Sequence, residues 1–479
     1  MLDEQLARNM PALLDEIRKS YADRIILKEL ADGEVVNTTG TEFFNLVDRC
    51  VSRLIRCSLT GKHLGIMGCT RREWLANVCA VFMTGGVAVL LSPELTAEEI
   101  AERAAQTDLS AVLCDEALRE TAAAARVTVL SLDSCEGEAD PVRMADPAGE
   151  ELACILFTSG STAKPKAVMF SHRALVAGIC HNVVSLPFEA QLAILPMHHI
   201  AGFASVFNTW YLGRVVCLGR EVRYLYRYLQ AMQPDYVLVV PQLLQVLVKK
   251  LRKADIWGRN LGWNLRLIGC GGAAFLPEAV SVLNERGIRV LQSYGATEAG
   301  GIGFDWEMTE ESAGTLGKPC SELETKIVEG ELLLRSPSLM SGYYGDPDAT
   351  ARVLRDGWYA TGDLCTVDEA GFYHLVGRKR NVIILSNGEN VSPEEIEAAL
   401  MKFGVMDEVM VGLKNQQITA FIRPGRGIDA ERILEAVDRY NASASRSRQI
   451  LGTEFYNKPF AKTEIGKLIR AGVTGGNQS

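Results

Sequence analysis

Apolar residues in this chain come in short blocks separated by longer, mixed segments. HLGIMG (63–68), VAVLL (87–91), AVLCD (111–115), VTVLSL (127–132), CILFTSG (154–160), LAILP (192–196), VVCLG (215–219), YVLVVP (236–241) and LRLIGCGG (265–272) are nearly continuous in hydrophobicity and end in turn residues. Such runs predict buried strands. Between them, segments such as Leu95–Thr107 and Gln242–Lys253 place apolar residues near helical spacing. Strand and helix in alternation predict an α/β fold of largely parallel sheets covered on both faces. Strand ends that run into Gly-rich turns are where such folds place ligands.

The pattern changes after about residue 315. GKPCSELETKIVEGELLLRSPSLM is denser in turns, and GWYATGDLCTVDEAGFYHLVGRKRNVIIL reads as strands joined by turns. This predicts a mainly β subdomain at about 315–379, closing an N-terminal domain of residues 1–379. A small α+β domain over 380–479 follows: a strand (Val382–Leu385), a loop (Ser386–Pro393), a helix (Glu394–Phe403), two strands, a helix (Ala430–Tyr440) and a tail. Its length is enough for a small independent domain.

Composition narrows the class. With 479 residues, 48% of them hydrophobic and 23% charged, the chain has the profile of a folded multidomain protein. The net charge of −9 disfavours nucleic acid as a partner, since a polyanion would be repelled. The twelve cysteines form neither a CxxC pair nor a Cys/His cluster at zinc spacing, and read as reduced, small apolar residues. No window reaches the ~20 apolar residues of a membrane span, and the N-terminus lacks a signal-peptide core. The expected location is the cytoplasm.

The most informative stretch is Thr158-Ser-Gly-Ser-Thr-Ala-Lys-Pro-Lys166, which follows the apolar run CILF. Hydroxyls, a glycine and lysines in a tight loop supply donors and charge to phosphate oxygens. No GK[ST] closes it, so it is not a Walker A loop, and a P-loop kinase or ATPase is excluded. Downstream come Tyr294-Gly-Ala-Thr-Glu298, Gly330-Glu-Leu, Tyr359-Ala-Thr-Gly-Asp363, Gly377-Arg378 followed by NVIILSNGENVSPEEIE, and Lys462-Thr-Glu-Ile-Gly-Lys467.

This ordered set resembles the adenylate-forming superfamily: acyl- and aryl-CoA synthetases, adenylation domains of peptide synthetases and firefly-type luciferases. The likeness extends from about residue 150 to the end. It implies that the loop containing Thr158, Ser159, Gly160, Ser161, Thr162 and Lys166 grips the β- and γ-phosphates of ATP. Two positions depart from the family pattern, Ala163 and Ala167, where glycine is common; a methyl at 163 would penalise a left-handed backbone. The resemblance further implies that Tyr294 and Gly295 lie near adenine, with Gly271, Gly272 and Ala273. Thr297 would touch the α-phosphate region and Glu298 would hold Mg²⁺, a cation that prefers carboxylate and phosphate oxygens. Asp363 and Arg378 match the pair that binds the ribose hydroxyls. Lys467 matches the catalytic lysine, which stabilises charge on the α-phosphate during carboxylate attack.

Pro196-Met-His-His199-Ile-Ala-Gly202 resembles the family's acid-pocket segment, placing His199 and Gly202 at the substrate, with Val240 (in Val239–Pro241) and Gly300 (in Ala299–Ile302) completing the wall. The following FASVFNTWYLG carries no acidic residue to pair a substrate ammonium, which argues for an acid without an α-amine. Gly388 and Glu389, in SNGEN, resemble the thiolation loop of acyl-CoA synthetases. Arg380 occupies the hinge position, usually Asp or Lys, around which a mobile C-terminal domain swings. The reaction implied is an acid–thiol ligation: a fatty or aryl acid and ATP give an acyl-adenylate, and CoA takes the acyl group. The alternatives are transfer to the phosphopantetheine of an acyl carrier protein, and a non-catalytic nucleotide-binding scaffold.

Overall fold

In the computed structural model, the structure describes residues 7–133, 144–158, 165–181, 187–253, 263–271, 277–301, 303–309, 312–385, 389–462 and 468–470. The chain divides into two compact units: residues 1–324 with 334–359, and residues 325–333 with 360–479. The division cuts through three strands, Glu324–Val328, Glu331–Arg335 and Trp358–Val367, so the segment expected to form a β subdomain is shared between the units.

Two sheets build the first unit. One has seven strands, in the order Gly342–Tyr343, Lys166–Ser171, Leu152–Thr158, Val87–Leu91, His63–Met67, Ala111–Cys114, Val129–Ser131. The last five run parallel, and the first two join antiparallel at one edge. The other sheet has eight strands, in the order Phe304–Glu307, Arg289–Tyr294, Leu267–Gly271, Tyr236–Val239, Ala190–Ala193, Val215–Leu218, Ile25–Ala31, Glu34–Thr39. Its six inner strands are parallel and both edges antiparallel. The expected α/β architecture of mostly parallel sheets is therefore present.

The helices follow local signals. The predicted helix at Leu95–Thr107 is Ala97–Gln106, started by a capping box in which Thr96 accepts from Glu99 N–H and Glu99 reaches back to Thr96. Large side chains fill the core: Trp74, Trp210, Phe43, Phe82, Phe203 and Phe207 are fully buried. Trp210 packs on Phe43 at 5.0 Å between ring centroids and donates its indole N–H to the Ile26 carbonyl at 3.1 Å. The cysteines behave as the small apolar residues expected of them. Cys50, Cys79, Cys114, Cys154, Cys180, Cys217, Cys270 and Cys365 are buried, whereas Cys57 and Cys69 are exposed. Burial pushes the Cys217 and Cys270 thiols up to about 12, far from reactivity.

One buried histidine ties stability to pH. His172 is 1% exposed, and its Nδ1 accepts the Met10 backbone N–H at 3.3 Å, so the ring is neutral. Burial pushes its imidazole down to about 4, with Glu151 opposing weakly. The unfolded ring, near 6.5, binds a proton that the folded ring refuses, so this site's stability is present above about pH 6.5 and lost as pH falls towards 4. The loss reaches about 3 kcal/mol at pH 4. His172→Asn keeps an acceptor without a titration; its Tm is expected to fall less between pH 6.5 and 4 than that of the parent. Parallel Tm–pH curves would refute this.

The second unit contains a three-stranded sheet in which Met406–Lys414 pairs antiparallel with Gln417–Pro424, and Gly452–Phe455 adds parallel to the latter. Helices Pro393–Met401 and Ala430–Ser443 bring Ile396, Leu400, Ile433, Ala436 and Val437 to its core. The two expected strands and two expected helices are all present. The short strand predicted at Val382–Leu385 is Ile383–Ile384, paired with Asn390–Val391.

Candidate active site

Parallel strands put their C-terminal ends on one edge, and that edge gathers residues far apart in sequence. Ala190–Ala193, Tyr236–Val239, Leu267–Gly271 and Arg289–Tyr294 are adjacent and parallel. Their ends lead to His199, Val240, Gly271 and Tyr294 respectively. His199 caps helix Ile200–Tyr211; its N–H donates to the Pro196 carbonyl at 3.2 Å and its ring lies 4.5 Å from that of His198. Gly202 is required there, because a Cβ would fall 2.4 Å from the Pro196 oxygen. Val240 is half-buried directly before helix Pro241–Lys253. Tyr294 meets Phe304 edge to face at 5.3 Å, and Gly295 beside it is exposed. Gly272, Ala273 and Ile302 lie outside the described residues.

Thr297 and Glu298 sit in a single turn, Thr297–Ala299, which Gly300 ends with φ +68°. The turn is gripped from behind. Ser338 Oγ donates to the Ala299 carbonyl at 2.7 Å, and Met340 N–H donates to the Glu298 carbonyl at 2.8 Å. A Cβ at Gly300 would lie 2.2 Å from the Ser338 oxygen, so a glycine is demanded by both conformation and space. The Glu298 carboxylate accepts the Tyr343 hydroxyl at 2.9 Å. Burial first, and then the Glu298 charge, raise the Tyr343 phenol well above its usual range, so it stays a donor.

Thr158 and Lys166 are register partners in an antiparallel ladder, facing each other across the mouth of the phosphate-type loop. Ser159, Gly160, Ser161, Thr162 and Ala163 lie outside the described residues. Ala167 is a buried strand residue opposite Phe157, a position where a methyl fits without backbone strain. The Lys166 ammonium lies 4.5 Å from the centroid of the Tyr343 ring.

Asp363 and Arg378 are brought together in the second unit, as cross-strand neighbours joined by an ion pair of 2.7 Å from Nε to Oδ1. Asp363 is 3% exposed. Its backbone N–H donates to Thr361 Oγ1 at 3.0 Å, and Gly362, at φ +72°, donates its N–H to Glu331 Oε1 at 3.0 Å. Glu331 also takes the Lys379 ammonium at 2.7 Å. Arg380 is exposed, in the turn Lys379–Asn381.

Gly388 and Lys467 lie outside the described residues. Glu389 is exposed and lines an open cavity of about 680 Å³ with Asn390, Glu395, Tyr440, Ser445 and Arg448. The chain on either side of 463–467 is fixed by two carboxylates, Glu408 buried and Glu397 half-buried. Glu408 binds Lys462, Arg423 and the Phe460 N–H, and Glu397 forms a bidentate pair with Arg470 at 2.7 and 2.7 Å while accepting the Val411 N–H. Sequence reasoning missed Tyr343, Ser338, Glu397 and Arg470, and named Glu331 only within the motif Gly330-Glu-Leu, without a role. The tyrosine carried one faint signal, its place in the turn-rich GYYGD after the glycine-bearing β segment.

Among the described residues no group of three His, Cys, Asp or Glu side chains is placed to hold a metal. A single carboxylate such as Glu298 fits Mg²⁺, which takes one or two protein carboxylates and completes its shell with phosphate oxygens and water. No helix among the described residues is long and apolar enough to cross a membrane.

The doubly wound body, its residue-lined strand edge and a separate smaller unit define a nucleotide-binding α/β enzyme. Residues 14–344 match the model of the AMP-binding enzyme family, and residues 380–475 match that of the AMP-binding enzyme C-terminal domain; the chain belongs to this family. The match begins well before residue 150, where the motifs start. Relatives include a feruloyl-CoA synthase from an Amycolatopsis species, 30% identical with 74% of this chain and 76% of that protein covered. A 2-succinylbenzoate–CoA ligase of Bacillus cereus is 28% identical, with 78% and 80% covered. In fold, the chain is similar to an O-succinylbenzoate coenzyme A synthetase from Bacillus subtilis in complex with AMP, with a TM-score of 0.86 at 22% identity, over 96% and 97% of the two chains.

Proposed function

We propose that this enzyme activates a carboxylic acid with ATP and passes the acyl group to CoA. In the first step the acid's carboxylate oxygen attacks the α-phosphorus, the bond to the β-phosphate oxygen breaks, and acyl-AMP and pyrophosphate form. In the second, a thiolate attacks the acyl carbon and AMP departs. No general base is needed in the first step, because the nucleophile is already an anion at pH 7.

The observation that carries this reading is the meeting of Glu298 and Lys166 at Tyr343, in a chain whose relatives are named as CoA ligases. Lys166, with Thr158, would face the phosphates. Glu298 would hold Mg²⁺, which when bound neutralises triphosphate charge; a solved structural neighbour contains ATP and magnesium. Asp363 would accept the ribose hydroxyls, with Arg378 beside it as the donor of the pair and the group that orients the carboxylate. Lys467 would stabilise the charge that grows on the α-phosphate. Residues 380–479 would be the moving domain, with exposed Arg380 as its pivot and Gly388 and Glu389 at the thiol entry. Buried, unreactive thiols suit the reducing cytoplasm as its place of action.

Carboxylate-dependent exchange of labelled pyrophosphate into ATP tests the first step across a library of fatty and aryl acids. AMP release with CoA, against a panel of phosphopantetheinylated carrier proteins, tests the second. Exchange with no acid in the library would overturn the reading, and thioester formation on carrier proteins alone would replace CoA as the acceptor.

A further inference from the structure

Two motifs distant in sequence, the lysine closing the phosphate-type loop and the glutamate after the YGAT turn, meet at a tyrosine that neither motif contains. Tyr343 is 4% exposed and lies in the short strand Gly342–Tyr343, antiparallel to Lys166–Ser171. Its place is fixed on both sides. Ser341 N–H donates to the Met169 carbonyl and Tyr344 N–H to the Ala167 carbonyl, each at 2.8 Å. The Tyr343 N–H donates to Thr350 Oγ1 at 2.9 Å, and that hydroxyl donates to the Asp346 carbonyl at 2.9 Å. Gly342 has φ +141°, and a Cβ there would lie 2.8 Å from the Thr350 side chain, so the backbone reaches this position only through glycine. The same segment grips the Glu298 turn through Met340.

One ring thus serves two charges of opposite sign. Its hydroxyl donates to Glu298 Oε1 at 2.9 Å, and its face lies 4.5 Å from the Lys166 ammonium. A lysine and a glutamate this close to one side chain would gain by pairing directly, because the site is partly dehydrated and charges attract strongly there. A direct pair would have to be broken before either group could face a metal–triphosphate. Tyr343 gives each a weaker partner instead: a neutral hydroxyl for the carboxylate and a π face for the ammonium.

We propose that Tyr343 is a positioning residue that keeps Glu298 and Lys166 apart and aimed, and so sets the enzyme's affinity for the magnesium complex of ATP rather than for nucleotide as such. The inference rests on the proposed roles of Glu298 at the metal and Lys166 at the phosphates. It predicts a separation of effects by ligand. Tyr343→Phe keeps the ring beneath Lys166 and removes only the hydroxyl. Tyr343→Leu removes both.

Calorimetric titration of the full-length enzyme with MgATP, with ATP in EDTA, and with AMP reads these effects without turnover, and Glu298→Gln serves as the reference. Tyr343→Phe is expected to weaken MgATP binding about tenfold, as for loss of one hydrogen bond to a charged group. Its affinity for metal-free ATP and for AMP should stay within about twofold of the parent, a margin well inside one hydrogen bond. Tyr343→Leu should in addition weaken metal-free ATP, since Lys166 loses its resting place. Thermal unfolding run alongside shows whether each variant is folded; should the leucine variant fail to fold, the near-isosteric phenylalanine variant carries the test. Unchanged MgATP affinity in Tyr343→Phe, with clear weakening in Glu298→Gln, overturns the role of Tyr343 alone. Unchanged MgATP affinity in Glu298→Gln overturns the metal reading beneath it. Equal weakening of all three ligands in Tyr343→Phe also refutes the inference, because it would mark a general structural loss.

Discussion

Lys467→Ala is expected to slow acyl-adenylate formation by about 10²–10³-fold while leaving thioester formation from preformed acyl-AMP within about twofold of the parent. Attack at the α-phosphorus adds negative charge to oxygens that already carry it, and a point cation there is worth most when water is excluded. In the second half-reaction the charge grows instead on the carbonyl oxygen of the acyl group, away from that cation's task. Single-turnover measurement of each half-reaction separates the two. Lys467→Arg keeps the charge but changes its shape and reach, so it should fall between parent and alanine variant. Equal loss in both half-reactions would remove Lys467 from the role given it.

Asp363→Asn is expected to weaken ATP and AMP alike by about 10–100-fold, because both carry the ribose and the loss is that of charged hydrogen bonds. The buried carboxylate offers acceptor oxygens, held by the 2.7 Å ion pair with Arg378 and by the backbone around Gly362. An amide supplies one acceptor oxygen and points N–H donors towards a guanidinium that can only donate. The affinity for the acid should hold. Removing the charge partner of the half-buried Arg378 also destabilises, by about 1–3 kcal/mol, so a Tm drop should accompany the weaker binding. Calorimetry with ATP and AMP, paired with thermal unfolding, decides the matter; selective loss of ATP with AMP unchanged would place Asp363 at the phosphates instead. This variant and Tyr343→Phe make opposite predictions for AMP, so together they map which part of the nucleotide each region reads.

How far these expectations were legible in the sequence depends on the range of the forces involved. The parallel strands His63–Met67 and Val87–Leu91 announce themselves, because burial on both faces leaves an unbroken apolar run. The helix at Ala97–Gln106 is marked by its capping box, a purely local device. Edge strands are harder to read. Glu34–Thr39 is largely exposed and polar, and Phe304–Glu307 is short, so neither carries the hydrophobic signature. Among site residues, Glu298, Asp363 and Lys166 stand in motifs dense enough to be recognised by their spacing. Tyr343 and Arg470 act through partners 45 and 73 positions away, Glu298 and Glu397, which no local pattern encodes. The domain border shows the same limit. A change in turn density near 315 marks where the strand character alters, but which strands cluster with which unit is decided by long-range packing.

That border has a practical side. The second unit is discontinuous in sequence, since the chain enters it at 325–333, leaves, and returns at 360. Gly377 lies so close to Ser392 that a Cβ would stand 2.2 Å from its hydroxyl, and that hydroxyl donates to the Val376 carbonyl at 2.6 Å. Recombining such proteins at Arg380 would therefore splice through a tightly fitted seam and separate the tail from the strand that bears its neighbours. Exchange of tails between members of differing acid preference should succeed only when the 360–379 strands travel with them.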